Sequence, residues 1–95
     1  MTFPEIRASI DARLEAEPRL AGSHREVHGE TSVWSRDKQA VAIAPSGSPG
    51  ILVEYRSEGR PARRRIFAAS PLSVDRIVVT SAEHLTDYAY HRTVT

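Results

Sequence analysis

The stretch 39–57 reads QAVAIAPSGSPGILVEYRS, and it decides the fold class predicted for this chain. Apolar side chains alternate with small or polar ones on both sides of its centre; they are Val41, Ile43, Ile51, Val53 and Tyr55. A period of two is typical of β-strands with one buried face, and the Pro/Gly-rich centre at 45–50 is typical of a loop. The stretch therefore predicts two antiparallel strands, 39–44 and 51–57, joined by a short connection.

Two further strands are predicted outside this pair. In the candidate strand 31–35, Thr31, Val33 and Ser35 share one face and Ser32 and Trp34 the other. Residues 63–69 follow a Glu-Gly turn at 58–59. Residues 19–30 are polar and predict no clear element until alternation begins near their end. Short connections between successive strands favour an antiparallel meander.

A helix is predicted over residues 3–16. Thr2 and Glu5 have the spacing of a capping box, which satisfies free backbone N–H groups at a helix start. Apolar side chains then recur on one stripe: Phe3, Ile6, Ile10 and Leu14. Pro18 ends the helix, because the residue before a proline is disfavoured in helical geometry.

The last quarter of the chain allows two interpretations. Ser70-Pro71 is typical of a helix start, and six apolar positions then fit a 3.6-residue period: Val74, Ile77, Val78, Ala82, Leu85 and Ala89. The β-branched run at 77–80 instead favours a fifth strand at 74–80 followed by a shorter helix. We favour one long helix, because a single period accounts for all six apolar positions.

The predicted fold class is α+β, a single domain over 1–95 in the order α-β-β-β-β-α. Two helices would cover one face of a four-stranded antiparallel meander and leave the other face open. With Arg-Asp-Lys at 36–38 as the turn, one face is core-like and collects Val33, Val41, Ile43, Ile51, Val53 and Tyr55. The open face collects Trp34, Ala40, Ala42, Leu52, Glu54, Arg56, Arg63, Arg65 and Phe67.

The composition excludes several classes of protein. The chain of 95 residues has no cysteine, so it has neither disulfides nor thiolate metal sites, and a reducing, cytoplasmic location is expected. No apolar run approaches the roughly 20 residues of a membrane-spanning helix, so no membrane partner is expected. The net charge is only +1, yet twelve of the thirteen basic residues are arginine. Abundant alanine and arginine suggest a GC-rich bacterial or phage gene.

Two sets of histidines are the candidates for chemistry. His24 and His28 would share one face with Glu26 if this polar segment were a strand, which allows a weak metal site. The other set, His84, Asp87 and His91, recurs at helical spacing near the end of the chain. We expect solvated polar side chains in both sets.

The serines of the central loop, Ser46 and Ser48, lack the glycine pattern of a nucleophile elbow or of a phosphate-binding loop. The sequence therefore predicts no enzyme, no catalytic residue, no metal and no cofactor.

Protein binding through the open sheet face is the leading function predicted, of an inhibitor, immunity or adaptor type. Large apolar and arginine side chains are typical of interface anchors, and on this face they are Trp34, Leu52, Arg56, Arg63, Arg65 and Phe67. The partner would be another protein or a second copy of the chain. For Trp34, the only tryptophan, burial in the core is the favoured interpretation, and exposure as an interface anchor beside arginine is the alternative on which this prediction depends.

Nucleic-acid binding is the alternative prediction. Five arginines gather around one hairpin: Arg56, Arg60, Arg63, Arg64 and Arg65. Such a ribbon can contact phosphates and enter a groove, and Tyr55 and Phe67 could stack on bases. The small net charge makes this less favoured than protein binding.

Overall fold

Two α-helices and five strands make up the part of the chain that the computed structural model describes, residues 2–47 and 50–86. In chain order they are α1 (Phe3–Glu15), a 3-10 turn (Pro18–Leu20), β1 (His24–His28), β2 (Thr31–Arg36), β3 (Gln39–Pro45), β4 (Gly50–Ser57), β5 (Arg63–Ala68) and α2 (Pro71–Leu85). The strands form one antiparallel sheet in the order β1-β2-β3-β4-β5. The α+β class and the antiparallel meander are confirmed.

The sheet has a fifth strand, and it lies at β1 rather than at 74–80. All five residues of β1 are exposed, so no apolar alternation marks it in the sequence. A two-residue turn joins it to β2, with Gly29 at a φ of +62°, a conformation that glycine adopts without steric cost. Residues 74–80 lie inside α2, which confirms the long helix that we favoured.

The helix ends follow the capping signals. Thr2 and Glu5 form the expected capping box at the start of α1. The Ser70 hydroxyl accepts from the backbone N–H of Ser73 at the start of α2. The β-branched run in α2 remains helical, because packing of an apolar face contributes more than the small differences in helix propensity.

Both helices pack on the same face of the sheet. They share one core with the strands, formed by side chains such as Ile10, Ile43, Val53, Ile77 and Leu85. Side chains of α1 bond to β2, whereas α2 packs mainly against β3 and β4. Two helices of about 10 Å diameter cover about four strands spaced about 4.8 Å apart, so β5 lies at the margin of this layer. Within the described ranges, no helix is long and apolar enough to cross a membrane.

The division of side chains between the two faces differs from the prediction at β2 and β5. Trp34 and Phe67 face the helices, and Val33 lies on the open face. The cause at β2 is its turn, which has two residues because Arg36 pairs with Gln39. Since successive side chains alternate, one residue less in a turn moves every side chain of a strand to the other face.

The same shift applies to β5. Arg63 pairs with Tyr55 and Arg65 pairs with Val53, so both arginines are on the helix side rather than on the open face. Arg64 takes their place on the open face, opposite Glu54. The expected positions of Leu52 and Arg56 on the open face agree with the pairing.

Candidate functional site

Trp34 belongs to the core and not to an exposed surface. It is 4% exposed, and its indole N–H donates to Oδ1 of Asp11 over 2.9 Å. Ser32 donates to the other oxygen of the same carboxylate over 2.8 Å. The guanidinium of Arg25 lies 5.7 Å from the centre of the indole ring. Trp34 therefore anchors α1 to β2 and is unavailable as a contact for a partner.

Phe67 is also covered. It is 7% exposed, and the guanidinium of Arg65 lies 4.8 Å from its ring centre. Since Trp34 is likewise buried, both aromatic anchors predicted for the open face are absent from that face. Leu52 and Ile66, which pair with each other across β4 and β5, are the largest apolar side chains that remain there among the described residues.

The open face is apolar from β2 to β5. Its side chains are mostly small, Ala42 among them is buried by its neighbours, and they are Val33, Ala40, Ala42, Ala44, Leu52 and Ile66. Leu52 is half-buried, whereas Ile66 is 73% exposed. We use the name open face for this set together with the charged side chains that border it on β1, β4 and β5.

One border of the open face is a cluster of two arginines around one carboxylate. Glu54 accepts from Nε of Arg64 over 2.7 Å and also from Nε of Arg56. These two hydrogen bonds, the one from Arg64 first, hold the pKa of Glu54 below its ordinary value of 4.5. Arg56 and Arg64 are therefore occupied with an internal partner.

The other border is the row His24, Glu26 and His28 on β1. The Glu26 carboxylate lies 3.1 Å from Nε2 of His28 and 3.5 Å from Nε2 of His24. The hydrogen bond from His28 lowers the pKa of Glu26, and the charge interactions with both histidines lower it further. The two histidines are about 13 Å apart along the strand, and both imidazoles direct Nε2 at the Glu26 carboxylate between them. Within the described residues, no group of three such side chains could hold a metal ion.

The opposite side of β5 forms a groove against α2. Its main section encloses about 890 Å³ and is lined by side chains that include Tyr55, Arg63, Arg65, Thr80, Glu83 and His84. A second section of about 560 Å³ shares three of these residues and extends to Gln39 and Arg60. We call this continuous depression the arginine groove.

The floor of the arginine groove is polar and ordered by hydrogen bonds. The Thr80 hydroxyl donates to the carbonyl of Arg76, so the Tyr55 hydroxyl is the donor in its 2.8 Å bond to Thr80. His84 Nε2 must carry a hydrogen, because it lies 2.8 Å from the carbonyl oxygen of Arg56, which can only accept. The imidazole also meets the Tyr55 ring edge-on, with ring centres 5.4 Å apart.

The expectation of a solvated helix face was therefore wrong for His84, which is buried and ties α2 to β4. Its proposed companions, Asp87 and His91, lie outside the described residues, as does Ser48.

Three buried polar residues escaped the sequence prediction: Asp11, Gln39 and His84. Asp11 had a usable signal, because it follows Ile10 and precedes Leu14 at the border of the apolar stripe of α1. Gln39 had none, because a glutamine at the start of a strand is equally compatible with exposure.

Comparison with known proteins gives no relative: no protein-family model, no curated protein and no solved structure matches the chain. Two surfaces, the open face and the arginine groove, are therefore the candidates for function, and they lie on opposite sides of β5.

Proposed function

We propose that this chain is a non-enzymatic protein-interaction module that binds through the open face of its sheet. The observation that carries the proposal is the exposure of Ile66 on the edge strand β5, beside Leu52 of β4, on the sheet face opposite to both helices. An apolar patch bordered by charged side chains is the typical composition of a protein interface.

A second copy of the chain is the partner that the charges favour. One row of paired residues crosses the open face: Glu26, Val33, Ala42, Glu54 and Arg64. A twofold axis along the central strand β3 would place the Glu26 end of this row opposite the Arg64 end of its mate. Arg56 and Arg64 share the single Glu54 carboxylate, so their border keeps one positive charge in excess, which would meet Glu26 of the mate at both borders. The alanine-rich centres would then pack against each other.

The oligomeric state of Ile66→Lys tests the proposal. The wild-type chain should sediment as a concentration-dependent dimer, and the buried lysine should weaken association by at least about 30-fold, which is the effect of losing an interface anchor worth about 2 kcal/mol. Leu72→Lys is the matched control, because Leu72 is 64% exposed on α2, away from this face. Its dimer should be unchanged.

A monomeric wild type would move the proposal from a second copy to a different protein. Capture from a lysate of the source organism, with wild type, Ile66→Lys and Leu72→Lys as baits, then decides. A protein retained by the wild type and by Leu72→Lys but lost with Ile66→Lys supports binding through the open face. If Ile66→Lys changes neither self-association nor capture, the open face is not the binding surface.

Nucleic-acid binding stays a prediction, and the arginines that motivated it are divided between two surfaces. Arg56 and Arg64 surround Glu54 on the open face, whereas Arg63 and Arg65 line the groove. Tyr55 and Phe67 are both 7% exposed, which limits base stacking. Arg64 also borders the arginine groove and Arg60 lines its second section, so a phosphate backbone would contact four of the five arginines there and not Arg56.

A further inference from the structure

We propose that the arginine groove is a second binding site, which holds an acidic, extended segment of a protein. This site lies on the opposite side of β5 from the open face, so it does not depend on the interface proposed there. Four features of the groove support the assignment. The helical layer is narrower than the sheet. Within the described part of the chain, some arginines along the gap form no ion pair and a buried acceptor lacks a donor. The outer edge of β5 can pair with another strand.

The groove exists because the helical layer is narrower than the sheet. Since two helices cover only about four strands, Arg63 and Arg65 of β5 lie at the margin of the helical layer, where a depression separates them from Thr80 and Glu83 of α2. On the neighbouring strands the same rows are filled by buried side chains, Tyr55 and Val53. The layer is therefore incomplete beside α2, and a further segment of chain can lie there.

The cations along this gap are available for an anionic partner. Within residues 2–47 and 50–86, the guanidiniums of Arg63, Arg65 and Arg76 form no ion pair, and Arg65 instead lies over the ring of Phe67. Glu83 also lines the groove. Asp75 and Arg76 line an adjoining depression that shares Arg65 and Thr80 with the groove, and Asp75 is paired with Arg13. An arginine without an internal ion pair has no such pair to break, and it can bind a carboxylate through two parallel hydrogen bonds.

The floor adds an acceptor that a peptide can satisfy. Gln39 is 7% exposed and donates through Nε2 to the carbonyl of His84, and its Oε1 has no hydrogen-bond partner among the described residues. A buried carbonyl oxygen without a donor is unfavourable, so a ligand that offers an N–H group is favoured. Backbone amides of an extended segment supply such groups, whereas a phosphate chain does not.

The free edge of β5 favours an extended conformation of the segment. Among the strands of residues 2–47 and 50–86, β5 is the last of the sheet and pairs only with β4. Its outer N–H and C=O groups can therefore pair with an added strand, and alternate side chains of that strand would point towards Arg63 and Arg65.

A peptide titration tests the proposal on the full chain. The probe is a short fluorescein-labelled peptide in which Glu alternates with Thr, followed by anisotropy at low salt. The double variant Arg63→Gln/Arg65→Gln should bind about 10-fold more weakly, as expected for two lost charge pairs. The control Arg19→Gln/Arg56→Gln removes the same charge outside the groove and should stay within about twofold.

The other arms identify the class of ligand. Replacing Glu by Gln in the peptide should weaken binding as strongly as the groove variant does. Equal weakening by the two double variants, or no binding of the Glu peptide, overturns the proposal. So does tighter binding of an oligothymidine strand that the groove variant abolishes, since the groove would then bind nucleic acid. Circular dichroism confirms that each variant is folded.

Discussion

The helix-covered face of the sheet has two margins, one under α1 and one beside α2. Among the described residues, inward polar side chains have internal partners at the first margin, whereas the inward arginines of β5 form no ion pair at the second. Under α1, the Asp11 carboxylate accepts from Ser32 and Trp34 and also has Arg25 within 3.7 Å. Beside α2, Arg63 and Arg65 occupy equivalent inward rows and meet no carboxylate among the described residues. The first arrangement closes the layer and stabilises the fold, and the second leaves a surface that a partner can complete. Polar residues at inward positions thus mark either an internal anchor or a binding site.

Asp11→Ala should cause the largest loss of stability, because it removes the carboxylate that joins α1 to β2. The substitution leaves the indole N–H of Trp34 and the hydroxyl of Ser32 buried without an acceptor. Each such group costs about 1–3 kcal/mol, so we expect a loss of about 3 kcal/mol in the free energy of unfolding. Urea unfolding followed by tryptophan fluorescence measures it.

Asp75→Ala is the control for this loss. Asp75 pairs with Arg13, and both side chains are largely exposed, so its removal should cost less than about 1 kcal/mol. If the two substitutions were equally destabilising, the closed margin would have no special role in stability.

The comparison also shows what the sequence could predict. Period-two and 3.6-residue patterns, together with capping residues, were sufficient for α1, α2 and the strands from β2 to β4, because these elements bury one face. β5 buries only Phe67, and the Glu-Gly turn before it was the signal that predicted it. β1 buries none of its residues, so hydrophobic periodicity carried no information about it. The register decides which side chains of β2 and β5 face the helices. Turn length sets that register, and residue type alone does not reveal it.

The binding surfaces were predictable in part for the same reason. Leu52 and Arg56 were placed correctly on the open face because β3 and β4 have a strong alternating pattern. Trp34, Arg63, Arg65 and Phe67 were assigned to the wrong face by a shift of one residue. The bonds of Asp11 and His84 join residues far apart in the chain, so no local pattern reports them.

Glu54→Gln should give an intermediate effect that depends on pH. The folded pKa of Glu54 is lowered by its two arginines, so its stabilising contribution is complete above the ordinary value of 4.5 and disappears as the pH falls through the lower folded value. Near neutral pH the variant should be less stable by about 1 kcal/mol, since both arginines are more than half exposed. This difference should close in acid, which unfolding at a series of pH values measures.

Two arginine variants make the pH prediction specific. The Arg64 hydrogen bond lowers the pKa of Glu54 most, so in an NMR titration Arg64→Gln should raise that pKa more than Arg56→Gln does. An unchanged pKa in both variants would show that the cluster on the open face is not an internal pair, and that its arginines are free for a partner.

Arginine to leucine at each margin, once under α1 and once beside α2, should give the smallest difference in stability and compares the two margins most directly. Arg25→Leu removes the cation that lies over Trp34 and near Asp11, and about 1 kcal/mol of stability should be lost. Arg63→Leu removes a guanidinium that has no ion pair among the described residues, so the free energy of unfolding should change by less than about 0.5 kcal/mol. Thermal unfolding of both variants under one condition measures the difference. A larger loss for Arg63→Leu would mean that this arginine stabilises the fold, and the groove would then lose the free cation on which binding of an acidic segment depends.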